Sequence, residues 1–354
     1  MYYGVKVLKG SQAPACAEYE KATIDQERIP TRFLRTRMLS GFAMNRNISL
    51  LNLVSYLATG YNRRKRSEIV FFIGCPMWGY KEWVGNFFPA HTPSSDFLRF
   101  YSKQLNAVEG NTVFYALPST ETIARWCQET PPTFRICPKI SRSISHDTPL
   151  KNSRNETLLF VERMRELGTR LGPMFLQLPP SFGPTQLPQL EAFLNFWPTD
   201  THLAVEVRHS DFYMEQHAQI LNTLLSQHKV ARVMMDTRPI RTGPTKEQQI
   251  LQARERKPNL PLQITITTDF TFLRYIGHPR MEVNDPLLDG WAQQIGQWLK
   301  QGTTVYVFCH CPFEKHSPEI CTTLYQRVSA LVPLPPLTLQ QERQDTEIQQ
   351  PRLF

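Results

Sequence analysis

From about residue 69 the chain settles into a rhythm, in which short apolar runs alternate with longer stretches of helical period, eight times over. The runs cover 70–74, 107–111, 134–139, 174–178, 203–208, 232–236, 272–277 and 304–310. Most are rich in Val, Ile, Phe or Leu, as expected of strands buried on both faces of a parallel sheet. Between them apolar positions recur every three to four residues. Ser94, Ser95 and Asp96 offer N-cap groups ahead of Phe97, Leu98, Tyr101 and Leu105, and Ser119 does so ahead of Ile123 and Trp126. Further helices are expected over 155–171, 187–196, 217–228, 247–256, 286–300 and 318–331.

Eight such alternations in about 260 residues predict an α/β fold, a TIM-type (β/α)8 barrel. A doubly wound sheet is the competing arrangement. Two features favour the barrel: no Gly-rich fingerprint follows the first run, and polar residues end nearly every run around the cycle rather than at one switch point. The barrel is expected over 69–333. Residues 1–68 read as a basic, poorly ordered N-terminal extension, or as an over-called start with the true one at Met38 or Met44. Residues 334–354 turn to Pro, Gln, Glu and Arg without a periodic apolar face and read as a disordered tail.

With 354 residues, 41% of them hydrophobic, the chain can bury a sizeable core. The formal charge of +9 points towards nucleic acid until its distribution is read. Residues 1–70 hold twelve Lys or Arg against five Asp or Glu, leaving 28 against 26 in the remainder. The presumed barrel is therefore close to neutral, although a local basic groove stays open. Cys16, Cys75, Cys127, Cys137, Cys309, Cys311 and Cys321 are odd in number and scattered, which suits free thiols in a reducing cytoplasm. In Cys309-His310-Cys311, neighbours on a strand point to opposite faces and cannot converge on one ion. No apolar run approaches the ~18 residues of a membrane span, and no signal peptide is evident. The apolar segment 48–57, followed by Arg63-Arg64-Lys65-Arg66, could at most lie on a membrane surface.

In such a barrel the strand ends and the loops after them carry the chemistry. They present Cys75 and Trp78; Glu109, Asn111 and Tyr115; Lys139 and His146; Gln177; Glu206, Arg208 and His209; Asp236 and Arg238; Arg274; and His310. Alternation puts Ala204, Glu206 and Arg208 on one face and Leu203, Val205 and Val207 on the other, so the charged pair should face the axis. Ala107, Glu109 and Asn111 share a face in the same way. Charges buried on an axis must be paired, and Glu109, Glu206 and Asp236 can pair with Lys139, Arg208 and Arg274. Three readings stay open. Paired carboxylates could do acid–base work or hold a divalent metal, with His146 or His310 assisting. The guanidinium and ammonium groups could hold a phosphate or carboxylate. The whole set could be a salt-bridge network plugging the barrel top. Trp78, Tyr80, Trp83, Phe87, Phe88 and Tyr115 cluster near the first two strand ends, where they could stack a ring or simply pack.

The segments IGCPMWGYKEWVGNFFP, VEGNTVFYALP, FRICPKISRSISH, GPMFLQLPPSFGP, LAVEVRH, MMDTRP and LRYIG, in this order over about 70–335, resemble the YecE-like family, also called domain of unknown function 72, in its VEGN-signature subgroup. The resemblance implies a TIM-type barrel with some relation to sugar isomerases, and it implies no established reaction. On matching positions it includes Glu109, Asn111, Tyr115, Lys139, His146, Gln177, Glu206, Arg208, Asp236 and Arg274. Many relatives close the last strand with an Asn-rich motif where this chain has FCHCP, so His310 is not carried over.

The final residues, Gln350-Pro351-Arg352-Leu353-Phe354, resemble short peptides that bind the bacterial DNA sliding clamp, with Gln350, Leu353 and Phe354 at the matching positions. The leading expectation is an enzyme acting on an anionic, sugar-containing small molecule, by isomerisation or hydrolysis. In it Glu109, Glu206, Asp236 and His146 would act in catalysis, and Trp78, Asn111, Tyr115, Lys139, Gln177, Arg208 and Arg274 would bind substrate. The alternatives are a metal-dependent phosphodiesterase-like protein recruited to the clamp, and a non-catalytic binding module. In the former, Arg238, Arg241, Lys246, Arg254, Arg256 and Lys257 would contact nucleic-acid phosphates.

Overall fold

The computed structural model describes residues 70–337. The basic N-terminal segment, Cys16, and the tail with Gln350, Leu353 and Phe354 lie outside the described residues. The strands are β1 (Phe71–Cys75), β2 (Ala107–Gly110), β3 (Arg135–Pro138), β4 (Met174–Gln177), β5 (Leu203–Glu206), β6 (Ala231–Asp236), β7 (Phe270–Ile276) and β8 (Thr304–His310). The helices that follow them in turn are α1 (Phe97–Gln104), α2 (Thr120–Glu129), α3 (Arg154–Arg165), α4 (Leu187–Phe196), α5 (Glu215–Gln227), α6 (Gln248–Arg256), α7 (Met281–Lys300) and α8 (Ser317–Ser329).

All strand pairs are parallel, in the order β3-β2-β1-β8-β7-β6-β5-β4. The two end strands then meet. Gly172 N–H donates to Ile136 O at 2.8 Å and Ile140 N–H to Phe175 O at 3.0 Å, so a short seam rather than a full ladder joins β3 to β4. Gly172 is required there, because a Cβ at this position would lie 2.5 Å from Cys137 Sγ. The TIM-type barrel expected from the sequence is thus what the chain forms.

Strand parity sorts the core into two layers. Phe72, Ala107, Cys137, Phe175, Ala204, Ala231, Val233, Phe270, Phe272, Tyr306 and Phe308 fill the inside of the ring. Val108, Leu176, Val205, Leu273 and Val307 face outward and join Ile123, Leu190, Leu221, Leu288 and Leu324 of the helices in the main core. Each such fully buried aliphatic side chain contributes about 1.5–3 kcal/mol relative to exposure.

Local boundaries follow their own chemistry. Ser119 caps α2 as expected, its Oγ accepting from Thr122 N–H at 3.2 Å. Helix α7 begins at Met281, five residues before the expected start, and carries Pro286 inside it. Buried Asn284 explains this: its amide donates to His278 O at 2.7 Å and Arg280 O at 3.1 Å, while its carbonyl accepts from His278 N–H at 2.9 Å. That side chain secures the first turn, so the proline's missing donor falls in an already anchored segment. Among the described residues no helix is long and apolar enough to cross a membrane.

Candidate functional site

The parity that places Ala107, Ala204, Phe272 and Phe308 inside the ring places Glu109, Glu206, Arg274 and His310 there as well, two residues further along the same strands. The result is a polar layer at the C-terminal mouth, resting on an aromatic floor. The Arg274 guanidinium lies 5.2 Å above the Phe175 ring.

Arg274 is the hub. Its Nε and Nη2 each donate to Glu109 at 2.9 Å, and its Nη1 donates to Glu206 at 2.6 Å. Glu109 also accepts from Asn111 at 2.7 Å and pairs with His310 Nε2 at 3.2 Å. Glu206 accepts from Arg208 Nε at 2.7 Å. Arg208 Nη2 donates to Gln177 Oε1 at 2.9 Å, an oxygen that also accepts from Lys139 Nζ at 3.2 Å. Because the Gln177 oxygen is an acceptor, its amide nitrogen must donate to His146 Nε2, 3.3 Å away. That fixes the imidazole tautomer. His146 Nδ1–H then donates to Ser145 Oγ at 2.8 Å, and Ser145 donates to Ser141 O at 2.7 Å. His146 sits in a π-helical turn, Ser143–Asp147, a feature frequent at functional sites.

The electrostatics follow from this wiring. Burial alone would raise both carboxyls. Arg274, with His310, instead holds Glu109 well below the usual carboxylate range, and Arg274 with Arg208 brings Glu206 to about 2. Both carboxyls are thus held ionised at neutral pH, and both orient and neutralise Arg274. Burial keeps both imidazoles neutral, His146 and His310 each at about 4. Lys139 is depressed to about 8, first by burial and then by Arg274.

Two residues at the mouth escaped the sequence reading of the site. Burial and then Arg274 and Arg208 depress half-buried Lys257 to about 8, so it shares the mouth's field. Glu314, after β8, is raised by burial to about 7 and accepts from Ser317 Oγ at 2.6 Å, with Lys257 acting on it from nearby. Lys257 is the residue just past the end of α6 and Glu314 opens a short 3-10 turn, Glu314–His316, and at neither place does a strand period report orientation. Lys257 had been grouped with the basic loop.

Asp236, Trp78 and Tyr115 stand outside the hydrogen-bond network of Arg274. Asp236 has the opposite parity to Ala231 and Val233 and points outward. It accepts from Trp291 Nε1 of α7 at 2.8 Å and from Arg238 Nη2 at 2.7 Å, apart from the other carboxylates. Trp78 packs edge-on against Trp126, centroids 5.3 Å apart, and Tyr115 is 79% exposed beside Phe114. Trp83, Phe87 and Phe88 likewise pack on one another. Two guanidinium groups of the basic loop bond to its own backbone, Arg241 donating to Arg254 O and Lys257 O and Arg254 to Ile240 O and Gly243 O, while Lys246 and Arg256 are exposed. These donors hold the loop together rather than facing a phosphate backbone.

Among the described residues no three His, Cys, Asp or Glu side chains are grouped to hold a metal ion. The Glu109 and Glu206 oxygens converge on Arg274, and His310 faces inward alone while Cys309 belongs to the outer core. The donor set therefore does not fit a divalent cation. Nor do the cavities of about 490 and 400 Å3, which lie beside α8 and at the opposite barrel end, contain any of the mouth residues. A smaller cavity of about 230 Å3 shares Phe114 with the mouth and is bounded by Tyr115, Ser141 and Arg142.

Comparison with known proteins adds the lineage. The family described as "Protein of unknown function DUF72" matches residues 72–343. The chain is 36% identical to UPF0759 protein YecE of Escherichia coli K12 over 265 residues, 75% of this chain and 94% of that protein. The corresponding protein of E. coli O157:H7 is 35% identical over the same length. Among solved structures, a DUF72 family protein from Enterococcus faecalis V583 superposes with a TM-score of 0.57 at 16% identity, covering 75% of this chain and 97% of that one. Another from Thermotoga maritima MSB8 gives 0.57 at 20% identity, covering 73% and 99%. At such identities the two structures speak to the fold alone.

Proposed function

We propose, for a chain that belongs to the DUF72 family, an enzyme that binds an anionic, sugar-containing small molecule at the barrel mouth and isomerises it. The observation that carries the reading is a surplus of inward-facing cations. Glu109 and Glu206 share Arg274 and Arg208, while Lys139 has only a neutral amide oxygen and an aromatic face as partners. Lys257 adds a second ammonium without a carboxylate within 4.0 Å among the described residues. Low-dielectric walls strengthen the attraction of such groups for a phosphate or carboxylate.

Isomerisation is favoured over two-carboxylate hydrolysis on charge grounds. Two-carboxylate hydrolysis of a glycosidic bond pairs a protonated carboxyl with an ionised partner close to it; Glu109 and Glu206 are both held ionised, which leaves Glu314, raised to about 7, as a proton-carrying carboxyl without a second one beside it among the described residues. The groups poised to exchange protons near neutrality are Lys139, Lys257 and Glu314. The six described cysteines are free, which suits a reducing cytoplasm.

The reading is tested with a panel of aldose and ketose phosphates in D2O, followed by proton NMR. The expected result is exchange of solvent deuterium into the carbon beside the carbonyl of at least one compound, lost in Lys139→Met. A panel that neither exchanges nor raises the melting temperature would dismiss the reading.

A further inference from the structure

We propose that Lys139 is a nucleophilic lysine, whose amine condenses with an aldehyde or ketone group of the ligand while Arg208 holds the ligand's anionic end. The inference rests on the reading of the mouth as an anion-binding enzyme site, and it adds a covalent intermediate and a carbonyl substrate class.

The geometry is that of an amine kept at work rather than in an ion pair. Lys139 directly follows β3 and turns its side chain to the axis, with Nζ 3.9 Å from the Phe114 ring centroid and 5.9 Å from that of Phe175. Its hydrogen-bond partner is the neutral Gln177 oxygen at 3.2 Å, and among the described residues no carboxylate lies within 4.0 Å of it. A buried ammonium without a counter-ion is destabilised relative to the amine. Half of Lys139 is accordingly neutral near pH 8, against roughly 1 in 250 for an exposed lysine at that pH. The site is not sealed, since Lys139 keeps 9% of its surface exposed. Arg208 donates to the same Gln177 oxygen, at 2.9 Å, so the anion holder and the amine flank one point.

The step balances without a cofactor. The amine lone pair adds to the carbonyl carbon, and the C=O π pair moves to oxygen. Proton transfer from nitrogen to oxygen gives the neutral carbinolamine. The hydroxyl takes one proton from solvent and leaves as water, leaving a C=N bond with its nitrogen protonated. In sum, one carbonyl compound, one amine and one proton give one iminium ion and one water. The face of Phe114 stabilises the iminium charge as it does the ammonium. The iminium then draws electrons from the adjacent carbon and acidifies its C–H, the bond an isomerase must open.

The test treats the full chain at pH 8 with glyceraldehyde 3-phosphate, dihydroxyacetone phosphate or pyruvate, then with sodium borohydride. Intact and peptide mass spectrometry read the product. The expected result is one reduced adduct, confined to the peptide carrying Lys139 and absent in Lys139→Arg. Mapping in the unaltered protein keeps the test independent of whether the variant folds. Adducts scattered over surface lysines, or one confined to Lys257, would overturn the proposal. So would no adduct from any of the three probes. If the same probes still raise the melting temperature in that last case, anion binding stands and only the covalent step falls; with no shift either, both fall.

Discussion

Glu109 and Arg274 are joined by two hydrogen bonds of 2.9 Å each, although 165 residues separate them along the chain and two strands, β1 and β8, lie between theirs. The pair is a fork-to-fork contact with both partners almost wholly buried. Glu206 occupies the remaining guanidinium arm. Replacing Arg274 by Met would leave two buried anions without their shared partner. The expected loss is about 3–5 kcal/mol of unfolding free energy, read by urea denaturation. A loss under about 1 kcal/mol would mean that water already reaches those carboxylates.

Acid should weaken the protein in two stages. His310 is buried and faces Glu109, Arg274 and Lys257, and it stays neutral in the fold down to about pH 4. Unfolded, it would take a proton near 6.5. Between those values the unfolded chain binds more protons, so stability falls as the pH drops from about 6.5 to 4, by on the order of 3 kcal/mol for this group. Glu109 and Glu206 have depressed folded values, so their contribution is lost only as the pH falls below the ordinary carboxylate range. Melting curves from pH 3 to 8 should show the earlier decline flattened in His310→Gln. An unchanged slope in that variant would assign the decline to other groups.

Inorganic phosphate should raise the melting temperature at pH 7. The gain should fall with added sodium chloride and disappear in Arg208→Met combined with Lys257→Met. Saturation to 100 times Kd corresponds to about 2.7 kcal/mol. A phosphate effect that survives the double variant would move the anion site away from the mouth.

Asp236→Asn should separate stability from binding. The side chain keeps an acceptor for the Trp291 N–H but loses the charge opposite Arg238. A loss of about 1–3 kcal/mol is expected, as for a weakened buried hydrogen bond to a charged group. The phosphate midpoint should not change. A shifted midpoint would return Asp236 to the ligand site.

Much of the mouth was legible before any coordinates, because inward strand positions obey a period of two. Ala204 and Glu206 sit in one strand on one face, so locating the small apolar residue located the acid too. The same rule, with Ala231 and Val233 as the inward set of β6, turns Asp236 outward. A polar residue at a strand end belongs to the mouth only where its parity matches the inward set, and that of Asp236 does not. Lys257 and Glu314 obey no period. They reach the mouth through loops whose path depends on contacts such as Arg241 with Lys257 O and Ser317 with Glu314.

The sequence by itself determined the eight alternations, the parallel barrel and the identity of most inward charges, since burial of apolar strand faces leaves little choice of register. Only the tertiary structure decided which charges meet. Arg274 carries three donor nitrogens towards carboxylates on two other strands, and which carboxylates receive them depends on ring closure and on side-chain reach across the axis. That choice ties both carboxylates to Arg274 and leaves Lys139 without a carboxylate within 4.0 Å among the described residues. Pairing is a property of distance in three dimensions, and no spacing along the chain encodes it.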